Sequence, residues 1–257
     1  HMQFQVNKRL DLENDLRSAL ERDEMMVYYQ PQIDLKTGKL HGKEALVRWN
    51  HSTRGLINPI DFIGLAEETG QIWALGKWVL QQACLQQKKW LDENHNSTPV
   101  SVNLSGKQLT HPDLLKTIKE VLSNTGLQPQ HLELEITEST IMENPESVII
   151  TLESLKSMGV MLSIDDFGTG YSSLSYLKRF PIDIIKIDRM FVSDLSANNV
   201  DADIVKTIIA LAHIMDVMVV SECVENQAQI DILKRHRCDI IQGYFIGKPT
   251  NADNFEQ

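Results

Sequence analysis

Eight short apolar segments with strand character alternate with segments of helical periodicity, and this alternation constrains the fold more than any other feature of the sequence. The apolar segments start at Met26, Leu40, Pro99, His131, Val160, Ile182, Asp216 and Cys238. Helical patterns fall between most of them, and Gly126 and Gly159 stand where helix C-caps are expected. Such alternation predicts one α/β unit, and eight strands with intervening helices are typical of a TIM-type barrel.

The connection between the first two strands departs from a regular barrel. Only the short turn around Gly38 separates them, which predicts a β-hairpin rather than a helical crossover. In a hairpin the first strand runs antiparallel to the second. We therefore predict an α/β fold, specifically a TIM-like (β/α)8 barrel variant with an antiparallel first strand.

The composition narrows the choice of compartment and ligand. The chain of 257 residues has a formal net charge of −10, which argues against polymeric nucleic acid as a partner, because binding along the phosphates needs a basic surface. A small phosphorylated ligand fits this charge if cations intervene. Three cysteines without metal-ligand spacing, and no apolar run of membrane-spanning length, predict a cytoplasmic protein without a disulfide framework or zinc site.

Polar residues stand near the carboxyl end of nearly every predicted strand. They are Glu44, Asn103, Glu135, Asp165, Asp166, Lys186, Asp188, Glu222 and Gln242. The carboxyl ends of barrel strands form one rim, which carries the active site in barrel enzymes. Carboxylate and amide oxygens in this number favour a hard divalent cation, Mg²⁺ or Mn²⁺. The adjacent aspartates favour two ions that share a ligand.

Simpler roles stay open for each residue taken alone. The aspartate pair suits a polar turn, Glu135 suits a surface or capping charge, and Asn103 suits a turn. Glu222 and Glu225 suit a solvated pair three residues apart. Cys223 suits a small buried thiol, because no histidine lies near it in the sequence to activate it. The coincidence of polar residues at the ends of seven strands favours a shared site.

Several motifs occur together in a fixed order. The segment "EALVRW" starts at Glu44 and is preceded by "YYQPQIDLKTG". It is followed by "NPIDFIGLAEETG", "SVNLSGKQL", "LELEITES", "DDFGTGYSSLSYL", "IKIDRMFV", "ECVE" and "QGYFIGKP". The set resembles the EAL-domain phosphodiesterases, which open the bacterial second messenger cyclic di-GMP. The resemblance covers almost the whole chain and implies metal-dependent hydrolysis to linear pGpG.

The resemblance implies roles for particular residues of this chain. The implied metal ligands are Glu44, Asn103, Glu135, Asp165, Asp166 and Glu222, with Asp165 bridging. The implied catalytic residues are Lys186, Glu222 and Glu44, with Lys186 holding the attacking water and the phosphate charge. Substrate contacts are implied for Gln30, Leu46, Arg48, Asp188 and Gln242. Glu138 would steady the loop after the fifth predicted strand, and Glu225 would support the site from outside its ligand set.

The resemblance also implies cofactors and partners. Two Mg²⁺ or Mn²⁺ ions would serve catalysis, and Ca²⁺ would inhibit because its longer bonds misplace the nucleophile. A homodimer is expected, as is fusion to sensor or diguanylate-cyclase-like domains, with the domain in the cytoplasm even if the full protein is membrane-anchored. Residues 1–25 would be a tag remnant and an amphipathic lead-in helix, and residues 26–257 the barrel domain.

Two other functions compete with hydrolysis. A catalytically weak EAL domain could act as a receptor for cyclic di-GMP, although the intact ligand set counts against this. An enolase-like metal barrel ranks far lower, because such sites use a lysine or histidine base with a metal triad. One position departs from the family: Cys223 stands where the family usually has glycine, and its side chain is expected to crowd the site.

Overall fold

The computed structural model describes residues 2–93, 98–170, 174–196 and 200–255. The strands are β1 (Met25–Asp34), β2 (Leu40–His51), β3 (Gly55–Ile57), β4 (Val100–Asn103), β5 (Leu132–Thr137), β6 (Met161–Phe167), β7 (Ile184–Ile187), β8 (Met218–Ser221), β9 (Ile240–Gln242) and β10 (Thr250–Asn251). The helices are α1 (Met2–Ala19), α2 (Pro59–Glu68), α3 (Ile72–Asp92), α4 (Gly106–Leu109), α5 (Leu114–Thr125), α6 (Glu138–Glu143), α7 (Pro145–Ser157), α8 (Leu174–Leu177), α9 (Arg189–Val192), α10 (Val200–Ile214) and α11 (Gln227–Arg235).

Eight of the described strands close a barrel. Their order is β1, β2, β4, β5, β6, β7, β8 and β9, and β9 pairs again with β1. Neighbouring strands from β2 to β9 are parallel, whereas β1 is antiparallel to both of its barrel neighbours. The predicted TIM-like barrel with an antiparallel first strand is confirmed.

The β1–β2 hairpin is fixed by a polar turn. Asp34 Oδ1 accepts hydrogen bonds from the backbone N–H groups of Lys36 and Thr37, at 3.0 and 2.7 Å. Gly38 has a φ of 69°, which glycine adopts without steric cost. The turn sets the register of the two long strands, and this register decides which side chains of β1 and β2 face the barrel rim.

Apolar side chains fill the space between the sheet and the surrounding helices. Trp49 and Phe62 are fully buried there and meet edge-on, with ring centroids 5.6 Å apart. A separate small cluster contains Ile184, Val220 and Ile240. Ile184 lies two residues before Lys186 on β7, so both side chains face the same side of that strand. This apolar cluster therefore forms the floor beneath the polar rim.

Helix α1 packs against the barrel through Leu16 and Ala19, which are buried. Asp15 Oδ2 lies 3.1 Å from His51 Nε2 at the end of β2. The predicted boundary at residues 25 and 26 stays a prediction, although β1 does begin at Met25. No helix among the described residues combines the length and apolarity needed to cross a bilayer.

The long helices follow the sequence patterns, whereas short elements were missed. The strands β3 and β10, of three and two residues, extend the sheet beyond the barrel and had no predicted counterpart. The helical pattern predicted after the fifth strand becomes α8, and its first part, residues 171–173, lies outside the described residues. The differences lie at the barrel ends, away from the strand cores.

Candidate active site

Lys186, near the end of β7, is the centre of a cluster of acidic side chains. Its Nζ lies 2.7 Å from Glu135 Oε2 and 2.7 Å from Glu222 Oε1. Glu44 Oε2 and Asp165 Oδ1 lie at 3.6 and 3.5 Å. These residues come from β2, β5, β6, β7 and the segment after β8. The structure thus brings five of the predicted site residues together at the carboxyl rim of the barrel.

Burial and mutual repulsion set the protonation of this cluster. Burial opposes the charge of Lys186, which is 0% exposed, but the carboxylates of Asp165 and Glu135 raise the pKa of its ammonium well above the ordinary value. Burial, followed by repulsion from Glu44, raises the pKa of Glu135 well above its ordinary value. Burial raises the pKa of Glu222 to about 8, against the attraction of Lys186. The cluster without metal therefore holds protons that a cation must displace.

Amide side chains orient Glu44 from two sides. Asn103 Nδ2 donates to Glu44 Oε1 at 2.8 Å, and Gln242 Nε2 donates to Glu44 Oε2 at 2.6 Å. Gln242 Nε2 also lies 3.1 Å from Gln30 Oε1, and Gln32 Nε2 donates to Gln242 Oε1 at 3.0 Å. Gln32 was not predicted, although its position two residues after Gln30, on the same face of β1, was an available signal.

A bulge in β6 lies at the two adjacent aspartates, Asp165 and Asp166. The register of β6 against β7 shifts between Ile164 and Phe167, and Asp166 has a φ of 54°. The bulge releases Asp165 and Asp166 from the strict alternation of a strand. Burial, with repulsion from Asp165 and then from Asp188, raises the pKa of Asp166 to about 6. Asp188 is thus within electrostatic reach of the aspartate pair.

Glu138 anchors the loop that follows β6. Its carboxylate, on a side chain that is 1% exposed, accepts hydrogen bonds from the backbone N–H groups of Gly168 and Gly170, at 2.7 and 3.4 Å. Gly168 has a φ of 99°, and a Cβ there would lie 2.6 Å from the Phe191 ring. The loop therefore takes its shape from one buried carboxylate and a position that requires glycine.

The predicted substrate residues Leu46 and Arg48 follow Glu44 on the same face of β2. Leu46 and Asn103 also line a groove of about 370 Å³, mostly apolar, whose wall includes Pro59, Ile63 and other residues of α2 and α3. The groove adjoins the cluster without including Lys186. An apolar ring bound there would lie beside the carboxylates.

Cys223 and Glu225 follow Glu222 in the segment between β8 and α11. Cys223 is half-buried and has a φ of 53°, a conformation that favours glycine. Burial and the charge of Glu222 raise the pKa of its thiol, so a reactive thiolate is disfavoured. The Glu225 side chain is exposed, while its backbone N–H donates to Gln229 Oε1 at 2.7 Å.

A second polar layer lies beneath the rim and was not predicted. Register places Ser101 beside Glu133, and Ser163 follows on the neighbouring strand. All three are buried, and their side-chain oxygens complete no hydrogen bond of normal geometry with the described residues. Burial raises the pKa of Glu133 to about 7, while the nearby Ser163 hydroxyl lowers it. The barrel interior is therefore polar on the side of β4, β5 and β6.

The donor set fits a hard divalent cation. Among the described residues, no three acidic, histidine or cysteine side chains are spaced as ligands of one ion, because the carboxylates are drawn onto Lys186. Glu135 Oε1 is nevertheless buried without a hydrogen-bond partner. The rim offers only carboxylate and amide oxygens, which Mg²⁺ and Mn²⁺ prefer. The chemistry of these residues therefore fits such ions.

Fold and site together define a class: a (β/α)8-type barrel with an antiparallel first strand and a carboxylate–lysine cluster at its carboxyl rim. The family model described as "EAL domain" matches residues 13–249. The chain belongs to the EAL domain family, whose phosphodiesterases generally depend on metal ions. The resemblance recognised in the sequence is confirmed.

Several characterised proteins are similar to this chain. The bifunctional diguanylate cyclase/cyclic di-GMP phosphodiesterase MucR of Pseudomonas aeruginosa is 44% identical over 252 residues, which cover 98% of this chain and 37% of MucR. The cyclic di-GMP phosphodiesterase PdeR of Escherichia coli is 39% identical over 100% of this chain and 38% of PdeR. The chain therefore spans about a third of the length of the curated relatives it matches.

A solved structure is similar to the whole barrel. The structure described as the PaMucR phosphodiesterase in complex with c-di-GMP has a TM-score of 0.92 and 45% sequence identity. The match covers 95% of this chain and 98% of that chain. The match spans nearly the whole of both chains, so the architecture described above is that of an EAL domain.

Proposed function

We propose that this EAL domain is a metal-dependent phosphodiesterase that hydrolyses cyclic di-GMP to linear pGpG. The observation that carries the proposal is the cluster of carboxylates around Lys186, with Glu135 and Glu222 both 2.7 Å from its Nζ. A protein that only binds the nucleotide does not need so many buried acidic groups at one point. The related cyclic di-GMP phosphodiesterases MucR and PdeR, 44% and 39% identical to this chain, support the same activity.

Two Mg²⁺ or Mn²⁺ ions are proposed as cofactors. The residues that would hold them are Glu44, Asn103, Glu135, Asp165, Asp166 and Glu222, with Asp165 shared. When bound, such ions lower the pKa of a water molecule and stabilise charge on phosphoryl oxygens. Ca²⁺ is expected to bind the same oxygens without good turnover, because its bonds are longer and its geometry looser.

The residues of the chain orient the reactants and move protons. Lys186, kept protonated by its carboxylates, donates N–H groups to the attacking water and the phosphate oxygens. Water loses a proton as its oxygen adds to phosphorus, one P–O ester bond breaks, the departing ribose oxygen takes up a proton, and the ring opens. Glu222 Oε1 lies 2.7 Å from Lys186 Nζ, and Glu222 is proposed to act with Lys186 in catalysis. Glu44 is proposed to act beside them as a ligand held by two amides.

Substrate contacts are proposed above the cluster. Arg48 would contact a phosphate, and Gln30, Leu46, Asp188 and Gln242 would line the nucleotide. The apolar groove beside Leu46 and Asn103 has the size and lining for one base ring. Glu138 is proposed to hold the "DDFGTG" loop, and Glu225 to support the segment after β8.

Product analysis with different ions tests the function and separates an enzyme from a receptor. Cyclic di-GMP is incubated with the protein and Mg²⁺, Mn²⁺, Ca²⁺ or excess chelator, and the nucleotides are resolved by chromatography. We expect pGpG with Mg²⁺ or Mn²⁺, little with Ca²⁺ and none with chelator. Tight binding without pGpG under every condition would favour the receptor function instead. Undiminished hydrolysis in chelator would reject the metal mechanism.

The full protein is proposed to join this domain to others. The relatives are about three times longer, and MucR is named as bifunctional. We propose attached sensor or diguanylate-cyclase-like domains, a cytoplasmic location for this domain, and a homodimer whose interface includes the region after β6. Exposed apolar side chains at Leu174, Met190 and Val200 support that interface. Light scattering of the wild-type protein and of a Met190→Asp variant tests the dimer, and the variant is expected to be monomeric.

A further inference from the structure

Tyr28 is a half-buried aromatic residue on the face of the β1–β2 hairpin that carries the cluster. The hairpin register pairs Gln30 with Glu44 and Tyr28 with Leu46. Alternate residues of a strand share one face, so Tyr28, Leu46 and Arg48 lie beyond Glu44 on the side of the rim. Tyr28 and Arg48 are diagonal neighbours across the two strands, within reach of long side chains.

Arg48 is held against Tyr28. The guanidinium Cζ lies 5.6 Å from the centroid of the Tyr28 ring, and Nη1 donates to the Val47 carbonyl oxygen at 2.8 Å. Stacking on an aromatic face restricts a long side chain that otherwise samples many rotamers. Among the described residues, the Val47 carbonyl takes one of the five N–H groups, and four are left for a ligand. The guanidinium is thus fixed while most of its donors stay available.

We propose that Tyr28 is a positioning residue, whose ring holds the Arg48 guanidinium ready for a phosphodiester of the cyclic dinucleotide. The inference rests on the proposed function, in which Arg48 contacts phosphate. A preorganised arginine loses less conformational freedom when the ligand binds. Tyr28 therefore acts on substrate affinity through Arg48, and not on the chemical step at Lys186.

Steady-state kinetics of two Tyr28 variants test the proposal. Tyr28→Leu removes the ring and keeps an apolar strand residue, and we expect KM for cyclic di-GMP to rise roughly fivefold, the equivalent of one cation–π contact. We expect kcat to stay within about twofold of the wild-type value. The lost interaction stabilises the bound substrate and the transition state equally, and the groups around Lys186 are unchanged. Tyr28→Phe keeps the ring, and its KM is expected to equal that of the wild type. A Phe variant as weak as the Leu variant would overturn the stacking argument.

A double-mutant cycle with Arg48→Ala assigns the effect to Arg48. In the Arg48→Ala background, Tyr28→Leu is expected to raise KM no further, because the group it positions is gone. An equal rise in both backgrounds would overturn the proposal and make Tyr28 an independent contact. A parallel fall in kcat and melting temperature for Tyr28→Leu would mean a structural role and would also overturn it.

The positioning role of Tyr28 is also testable if the protein binds cyclic di-GMP without hydrolysing it. If the wild-type protein binds cyclic di-GMP without hydrolysing it, the same four proteins are compared by the Kd for cyclic di-GMP. The positioning role then predicts a roughly fivefold weaker Kd for Tyr28→Leu only where Arg48 is present. Identical affinities of wild type and Tyr28→Leu would overturn the positioning role whether or not the protein is an enzyme.

Discussion

Glu222 is the residue of the cluster whose protonation is expected to be coupled to metal binding. Burial raises the pKa of its carboxyl to about 8, so this group is largely protonated at pH 6 in the metal-free protein. A carboxyl whose pKa is raised on folding stabilises the fold fully below its unfolded pKa, and this contribution is lost as pH rises through 8. Metal coordination requires the deprotonated form.

From this linkage we expect Mn²⁺ to raise the melting temperature more at pH 8 than at pH 6. One displaced proton makes metal affinity increase by about tenfold per pH unit below the pKa of the ligand. Thermal unfolding with and without Mn²⁺ at both pH values measures the effect. Glu222→Gln, which cannot titrate at this position, serves as the control and should reduce the difference, leaving the part due to Glu135. An equal or larger gain at pH 6 in the wild type would contradict the linkage.

Cys223 is the residue where this chain departs from the family pattern. Its φ of 53° is strained for a residue with a Cβ. We expect Cys223→Gly to stabilise the protein by about 0.5–1 kcal/mol, the relief of positive φ less the extra entropy of glycine. Urea unfolding measures this, and Arg237→Gly, at a φ of 63°, is the matched control. A lower free energy of unfolding for Cys223→Gly, together with a higher one for Arg237→Gly, would mean that packing of the thiol outweighs the backbone strain.

The residues that sequence reasoning missed share a physical cause. Gln32, Glu133 and Tyr28 lie inside strands, and the motifs that contain them do not show which face of a strand is turned inward. The hairpin register decides that for β1. Lys186, by contrast, stands near the end of β7, and Glu44, within β2, begins the "EALVRW" motif, so their meeting at one rim was predictable.

The loop after β6 shows how one element links distant parts of the molecule. Its backbone N–H groups at Gly168 and Gly170 depend on the buried carboxylate of Glu138. The same strand carries Asp165, which contacts Lys186. A loosened loop therefore misplaces a residue of the cluster, and the proposed dimer interface lies just beyond it.

We expect Glu138→Ala to lower kcat by roughly 10²-fold, since a misplacement of about 1 Å costs that much. Glu138→Gln keeps one acceptor oxygen and is expected to lose less. Kinetics at saturating metal, with circular dichroism to confirm folding, make the comparison. Unchanged kcat, metal affinity and dimerisation in Glu138→Ala would mean that the loop keeps its shape without the Glu138 carboxylate.

At the level of elements, the periodicity of the sequence predicted the strands of the barrel but not their local distortions. The eight barrel strands and the antiparallel first strand followed from alternation and one short turn. The bulge at Asp165 and Asp166 did not, because its cause is the pairing of β6 with β7 rather than any local pattern. The short strands β3 and β10 offer too few residues for a period to show.

Taken as a whole molecule, the domain is acidic and its proposed substrate is an anion. The net charge is −10, and the basic residues proposed to meet the dianionic nucleotide at the rim are Lys186 and Arg48. Charge balance at the rim therefore requires cations, which ties the composition of the whole chain to the proposed metal mechanism.

The central claim is that the carboxylates around Lys186 hold the catalytic metal ions, and the turnover of Glu44→Ala tests it most directly. Formation of pGpG from cyclic di-GMP in saturating Mn²⁺ is compared between the wild type, Glu44→Ala and the control Glu120→Ala, which changes an exposed glutamate of α5. We predict turnover by the wild type and the control, and no detectable pGpG from a folded Glu44→Ala protein. Turnover of Glu44→Ala at the wild-type rate would contradict the account.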